Sequence, residues 1–230
     1  MTDNAKVHVI SLGCPKNTVD SERMLGLLGG NDYQITDDPE DADVVIVNTC
    51  GFIEPAKEES IETILEASRL KENGRCKAVV VTGCLSTRYE KELKREMSGD
   101  ADLIPTLREE RDIVRHVDKL LGRTRGHYVD NVPRTSLPPT HWAYLRISDG
   151  CDHKCAFCAI PTIRGRHVSE SMEDLIGEAR RLAANGVREL VLVAQDSVRY
   201  GVDLYGKAQL VPLMEGLAAV DGIDWMRLMY

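Results

Sequence analysis

Apolar and polar positions along this chain fall into short blocks whose period switches between that of strands and that of helices. Residues 6–14, KVHVISLGC, are strand-like and end at Gly13 and Cys14. Residues 15–28 follow as a loop and helix whose apolar stripe is Met24, Leu25, Leu27 and Leu28. DVVIVNTC (43–50) is a nearly continuous β-branched run, the pattern of a strand buried on both faces of a parallel sheet. Pro55 then sits at the opening of a helix, where its missing N–H costs little, and Ile61, Ile64 and Leu65 are expected to give that helix its buried face. KAVVVTGC (77–84) reads as a third strand and Ser86 to Met97 as a charged helix. ADLIP (101–105) reads as a weaker strand and EERDIVRHVDKLLG (109–122) as a helix. This alternation predicts an α/β domain over residues 1–122, built on a parallel sheet flanked by helices.

The pattern stops at residues 123–140, RTRGHYVDNVPRTSLPPT, which carry three prolines and no apolar period and are expected to form an interdomain linker. It restarts with a strand at 143–148, AYLRIS, followed by a cysteine-rich loop. Met172 to Ala184 is a helix with Leu175, Ile176, Ala179, Leu182 and Ala183 on one face. ELVLVAQD (189–196) is a strand, VPLMEGLAAV (211–220) a helix and WMRLMY (225–230) a further strand. A closed β/α barrel takes roughly 200 residues or more. Residues 141–230 therefore predict only the first part of one.

Composition narrows the class. The chain has 230 residues, 43% of them hydrophobic and 29% charged, as in globular rather than disordered proteins. No apolar run reaches the length of a membrane span, and the start, MTDNAKVHVI, lacks a secretory pattern. A cytoplasmic setting without membrane contact is expected. In a reducing compartment the seven cysteines read as metal-binding or catalytic, and an odd number does not suit a closed disulfide framework. A net charge of −8 and 5% aromatic residues argue against a general grip on nucleic acid.

The cysteines supply the chemistry. Cys151, Cys155 and Cys158 are spaced Cys-x3-Cys-x2-Cys, with no fourth cysteine or histidine placed to complete a tetrahedral site. Structural zinc takes four protein ligands, whereas three thiolates on a four-iron four-sulfur cluster leave one iron open. Cys14, Cys50 and Cys84 each end a predicted parallel strand, so they are expected to converge at the sheet edge where open α/β folds bind ligands. Glycine adjoins each of them (Gly13, Gly51, Gly83), which lets backbone approach a bulky group. The alternative for this trio is three buried thiols acting as small hydrophobes. Cys76 precedes its strand, at the opposite edge, and is read as structural. No pair of histidines has ligand spacing, and none is assigned to metal.

The motifs SLGCPKNTVDSE (11–22), VNTCGFIEPAKEESIETILE (47–66), VTGCLSTRY (81–89), GCDHKCAFCAIPTIRG (150–165) and AQDSVRYGVDLYG (194–206) together resemble the radical S-adenosylmethionine methylthiotransferases. Within that family the likeness is greatest to the branch that modifies an aspartate of ribosomal protein uS12. The resemblance implies that Cys151, Cys155 and Cys158 hold the cluster whose open iron binds S-adenosylmethionine. Reductive cleavage there would yield a 5′-deoxyadenosyl radical. It implies that Cys14, Cys50 and Cys84 hold a second, sulfur-supplying four-iron four-sulfur cluster, and that an electron donor of unspecified identity serves the first. It would place Phe157 near adenine, Gln195 and Asp196 at the catalytic barrel face, Arg164 (with Arg166) near a carboxylate of cofactor or substrate, and Asn17 and Asp20 around the auxiliary-cluster loop.

Two departures stand against the family pattern. Ser169 is followed by Glu170 where a Ser-Arg pair is usual, and ADLIPTL (101–107) replaces a glycine-rich strand end. The family also continues with further barrel strands and a C-terminal β-barrel module, so a C-terminally truncated member is expected, whose activity on its own is open. The competing readings are the sister branch acting on adenosine in tRNA, which the charge and aromatic content disfavour, a non-catalytic iron–sulfur fragment, and a zinc module.

Overall fold

Strand Val44–Thr49 (β3) lies at the centre of the first sheet, with every residue buried, because its two faces feed two different cores. In a computed structural model describing residues 4–138 and 140–229, the chain divides into two compact units between Thr135 and Ser136. The first holds β1 (Lys6–Ser11), α1 (Pro15–Gly29), β2 (Gln34–Ile35), β3, α2 (Glu54–Asn73) and β4 (Ala78–Gly83). Helices α3 (Cys84–Arg88), α4 (Glu90–Glu96) and α5 (Ile113–Leu120) complete it. The sheet is parallel with order β2-β1-β3-β4.

Side chains alternate across a strand, and the two cores show it. Val44 and Ile46, with Ala78 and Val80 of β4, pack on Met24 and Leu28 of α1 and on Ile113, Val114 and Val117 of α5. Val45 and Val47, with Val79 and Val81, pack on Ile64 and Ala67 of α2 and on Leu85 of α3.

Several local expectations need correction. The buried face of α2 is formed by Ser60, Ile64 and Ala67, while Ile61 and Leu65 are more than a third exposed. Apolar spacing alone did not fix the helix's rotation, since the buried Ser60 is held by its own hydrogen bonds. The helix expected from Ser86 to Met97 is two helices broken at Tyr89, and α3 begins at Cys84 itself. Residues 101–105 make one parallel bridge, Val80 with Leu103, and no full strand. That short cover is enough to cap the edge of β4: Val81 N–H donates to the Leu103 carbonyl at 2.9 Å and Val79 N–H to Asp102 Oδ2 at 2.8 Å. The helix expected over 109–122 starts as a 3-10 turn, Leu107–Asp112, before α5.

Within the first unit, residues 129–135 run against α1. Asn31 exchanges side-chain hydrogen bonds with the Val129 backbone at 2.9 Å, and Thr135 N–H donates to the Glu22 carbonyl. Arg134 pairs with Glu22, both side chains almost fully buried. A Cβ on Gly26 would stand 2.3 Å from the Pro133 carbonyl oxygen, so glycine is what allows the chain to lie on the helix there.

The second unit has a parallel sheet ordered β5 (Trp142–Arg146), β8 (Glu189–Val193), β9 (Trp225–Leu228). Between β5 and β8 come a two-residue antiparallel pair, β6 (Ser148–Asp149) with β7 (Val168–Ser169), a short helix α6 (Ile160–Ile163) and helix α7 (Met172–Ala184). Short helix α8 (Val202–Tyr205) and α9 (Leu210–Ala218) precede β9. Leu175, Ala179 and Leu182 of α7 and Leu213 and Leu217 of α9 pack on Leu145, Leu190 and Leu192 of the strands. The last residue of the run 225–230 lies outside the described residues. No described helix is long and apolar enough to cross a membrane.

Two outcomes follow from this packing. Arg134→Leu takes a guanidinium from a buried carboxylate and should lower unfolding stability by roughly 3 kcal/mol, read from the urea midpoint. At the opposite sheet edge, buried Asp43 accepts from Lys6 N–H at 2.8 Å and pairs with Arg75 and Lys77 at 3.0 Å. Burial alone would raise its carboxyl, but these donors outweigh it and hold the pKa at about 2, below the usual 3.8. The folded state then binds fewer protons than the unfolded one. The stabilisation is complete above about pH 4 and is lost as pH falls through about 2. Asp43→Asn should flatten that part of the stability–pH curve in acid titration followed by circular dichroism.

Candidate metal centres

The parallel register sets where the first trio of cysteines lies. Ser11, Asn48 and Thr82 share one row across β1, β3 and β4, and Thr49 pairs with Gly83 in the next. Cys50 and Cys84 therefore leave the sheet side by side. Cys14, after Leu12 N–H bonds the Asn48 carbonyl at 3.0 Å, leaves from the same edge. Cys14 caps α1 from its N-terminal side, with Pro15 opening the helix.

Asn17 ties the three ends together. Its amide nitrogen donates to the Leu12 carbonyl at 3.1 Å and the Thr49 carbonyl at 2.9 Å, and its oxygen lies 3.5 Å from the Cys84 sulfur. Asn48 reaches back to the Asn17 carbonyl and to Ser21 Oγ, both at 2.9 Å. Ser60 brackets Cys50, accepting from its N–H and donating to its carbonyl at 3.0 Å each. Gly13 has φ +89°, and a Cβ there would stand 2.6 Å from Cys50 Cβ and 2.9 Å from its sulfur. Glycine thus keeps open the space between the Cys14 and Cys50 ends. Cys50 and Cys84 are buried and Cys14 half-buried, a set of three soft donors suited to iron–sulfur chemistry. Cys76 is buried away from them, with its sulfur 3.3 Å from the Ala78 carbonyl, and burial pushes its thiol pKa up.

The second trio sits on a loop with a closed neck. Ser148 and Asp149 pair with Ser169 and Val168, and Cys151 N–H donates to the Gly165 carbonyl at 3.1 Å. Gly150, at φ +73°, is where the two sides touch: a Cβ there would stand 2.1 Å from the Arg166 carbonyl oxygen. Beyond the neck the loop is open. Cys155 is exposed, Cys151 and Cys158 are half-buried, and Cys158 N–H donates to the Cys155 carbonyl at 3.1 Å, closing a backbone turn between the last two cysteines.

Asp149 organises the neck, and sequence reasoning missed it. Its carboxylate accepts from Arg164 at 3.2 and 3.3 Å, from Gln195 Nε2 at 2.9 Å and from Gly150 N–H at 3.0 Å, with Arg146 at 3.5 Å. Burial alone would raise its pKa, but Arg146 and Arg164 outweigh that and hold it below the usual carboxylate range. Arg146 and Asp149, charged residues at the end of an apolar strand pattern, were the signal available in the sequence.

Each remaining site residue has a definite place. Arg164 is buried on Asp149, whereas Arg166 is 94% exposed. Gln195 shares Asp149, and its Oε1, like Ser148 Oγ, is buried without a hydrogen-bond partner. Asp196 Oδ2 lies 2.8 Å from His153 Nε2. Phe157 is 92% exposed and is therefore not a core aromatic. Ser169 is buried, with its N–H and hydroxyl donating to Asp203 at 2.8 and 2.6 Å. The following Glu170 donates its N–H to the Ile147 carbonyl.

Residues 6–104 match the family described as "Uncharacterized protein family UPF0004", and residues 145–211 match the radical SAM superfamily. The chain is 50% identical over 227 residues to ribosomal protein uS12 methylthiotransferase RimO of Sulfurihydrogenibium sp. (strain YO3AOP1), covering 99% of this chain and 51% of that protein. It is 48% identical over 232 residues to the RimO of Pelotomaculum thermopropionicum, covering 98% and 52%. Over nearly its whole length the chain is similar to the RimO methylthiotransferases, and it carries their two matched regions, UPF0004 and radical SAM, in that order. It spans about half the length of the curated relatives it matches.

Solved structures agree at the level of fold. The chain resembles the radical S-adenosylmethionine methyltransferase TsrM from Kitasatospora setae (TM-score 0.56, 13% identity, 92% of this chain and 52% of that one). It also resembles the cobalamin-dependent S-adenosylmethionine radical enzyme OxsB (TM-score 0.59, 12% identity, 97% and 38%). These likenesses extend the α/β reading to a parallel-sheet unit followed by barrel-type β/α units.

The neck geometry gives a direct test. Gly150→Ala puts a methyl group into the Arg166 carbonyl at a backbone angle that costs about 1–2 kcal/mol for an L-residue. The variant should take up less iron and sulfide at the loop trio while uptake at Cys14, Cys50 and Cys84 is unchanged, measured by metal analysis after anaerobic reconstitution.

Proposed function

We propose that this chain carries the two cluster sites of a methylthiotransferase acting on the β-carbon of an aspartate in ribosomal protein uS12. The observation that carries this reading is the pairing of two three-cysteine sets, one at the carboxyl ends of parallel strands and one on a necked loop. When bound, two four-iron four-sulfur clusters and S-adenosylmethionine supply radical hydrogen abstraction, sulfur and the methyl group.

The chain's own residues position and shield that chemistry. Cys151, Cys155 and Cys158 hold the first cluster, and Cys14, Cys50 and Cys84 the second. Gly13 leaves room for the second, and Asn17 and Ser60 fix the backbone on either side of its thiols. Asp149 locks the neck of the loop through Arg164 and ties it to the strand end at Gln195. Arg164 therefore acts on the neck. The exposed Arg166, whose Nε lies 3.7 Å from Asp152 Oδ1, offers its charge to a carboxylate of cofactor or substrate. Phe157, exposed one residue before Cys158, offers a flat apolar face to adenine. Gln195 and Asp196 follow β8 at the end of the sheet where barrel enzymes place catalytic groups. An external electron donor and a cytoplasmic setting belong to this reading.

Anaerobically reconstituted enzyme bearing Cys151→Ala should lose reductive cleavage of S-adenosylmethionine, measured as 5′-deoxyadenosine by chromatography. Cys50→Ala should keep most of it and lose sulfur insertion. Equal loss in both variants would overturn this division of roles. Mass spectrometry of cells lacking the gene decides the substrate. The uS12 aspartate should lack its methylthio group while tRNA keeps its own, and the reverse pattern assigns the chain to the tRNA branch.

A further inference from the structure

Cys151 faces a second set of donors that the cysteine trio does not include. The ligand atoms of Cys151, His153 and Asp196 all lie within 4.8 Å of one another. They come from two sources: Cys151 and His153 are two residues apart on the loop, and Asp196 follows β8. Asp196 is nearly buried, His153 is more than half exposed and Cys151 is half-buried, so the group opens to solvent on the histidine side. The loop backbone that presents Cys151 is fixed at the neck. The Cys151 N–H is bonded to Gly165, and its neighbour Gly150 is wedged against Arg166. Neither Cys155 nor Cys158 belongs to this group.

We propose that Cys151, His153 and Asp196 form a mononuclear site for a divalent d-block cation, filled when the loop carries no cluster. One thiolate, one imidazole and one carboxylate are a donor set that suits Zn2+ and Fe2+. Three protein ligands leave the remaining position to water, as in open zinc sites. The two-residue spacing and the hydrogen bond between His153 and Asp196 already bring the donors together, so little loop ordering is needed on binding. Because Cys151 is common to both sets, a bound single ion and a complete Cys151–Cys155–Cys158 cluster exclude each other. The site is then where a first ferrous ion lodges, or where zinc blocks cluster assembly.

The test is Co2+ titration of the reduced, metal-free chain under argon. The thiolate-to-cobalt absorption is read as the difference between the native chain and Cys151→Ser, which cancels any ion taken by Cys14, Cys50 and Cys84. A Cys151-dependent band should appear, and Zn2+ should displace it. His153→Ala and Asp196→Asn should each weaken binding at least by the ~10–100-fold that losing an outer-shell partner alone costs. Cys155→Ser and Cys158→Ser should leave binding close to native. Equal weakening by Cys155→Ser and His153→Ala, or no Cys151-dependent band, overturns the proposal. If Asp196→Asn fails to fold, the exposed His153 decides the outcome by itself. The titration is independent of the two-cluster reading, since it uses protein without clusters, and only the competition with a cluster rests on that reading. Pre-loading with Zn2+ should in addition slow iron–sulfur reconstitution at the loop, and His153→Ala should relieve that block.

Discussion

Parallel pairing in register is the constraint from which the first site follows. Once Ser11, Asn48 and Thr82 occupy one row, the chain leaves all three strands at the same edge within a few residues. That edge exposes backbone groups that no further strand can satisfy, and buried ones are costly if left alone. Asn17 answers this with one side chain, donating to the carbonyls of Leu12 and Thr49 while its oxygen faces the Cys84 thiol. An aspartate there would offer no donors, and an alanine would offer nothing. The residue that closes the sheet edge is thus the residue that arranges the thiols. Structure and site cannot be varied separately at this position.

A different device serves the loop. Buried charges stabilise a fold weakly, because desolvation offsets their attraction, but they discriminate strongly against other arrangements. The Asp149 carboxylate joins Arg146 on β5, Arg164 at the far side of the loop and Gln195 after β8. A slip of the neck by one residue would leave the buried Arg146 and Arg164 side chains without the Asp149 carboxylate. Hydrophobic contacts tolerate such slips more readily, which is why a charged hub suits a loop whose tip has almost no apolar packing of its own.

Legibility in the sequence tracked the range of the interactions. VVIVNT and AVVVTG are fully buried strands, and their β-branched runs gave their place and the position of the following cysteine without further information. The loop trio was equally plain, because three thiols at that close spacing suit a metal cluster and little else. Asp149 with Gln195, and His153 with Asp196, were out of reach: they join residues more than forty positions apart through side chains whose types are common on surfaces. The β6–β7 pair is two residues long on each side, too short for any period to register. Proline content made residues 123–140 look like linker throughout. The contacts of Val129, Arg134 and Thr135 with α1 depend on Asn31, Glu22 and Gly26, which composition does not see.

The two trios differ most in their access to water, and this bears on how each can be filled. Cys50 and Cys84 are buried, the Cys84 thiol facing the Asn17 amide oxygen, with α1 opening at Cys14. A thiolate-held cluster is anionic, and the N-terminal end of a fifteen-residue helix favours negative charge beside it. That setting suits an anionic group screened from water. The loop trio has the opposite character: Cys155 and Phe157 stand in solvent above a locked neck. A small molecule can approach the loop thiols directly, and so can a metal ion. The same loop leaves Cys151 within 4.8 Å of ligand atoms of His153 and Asp196, so a single ion held there would compete for Cys151 with any group held by all three cysteines.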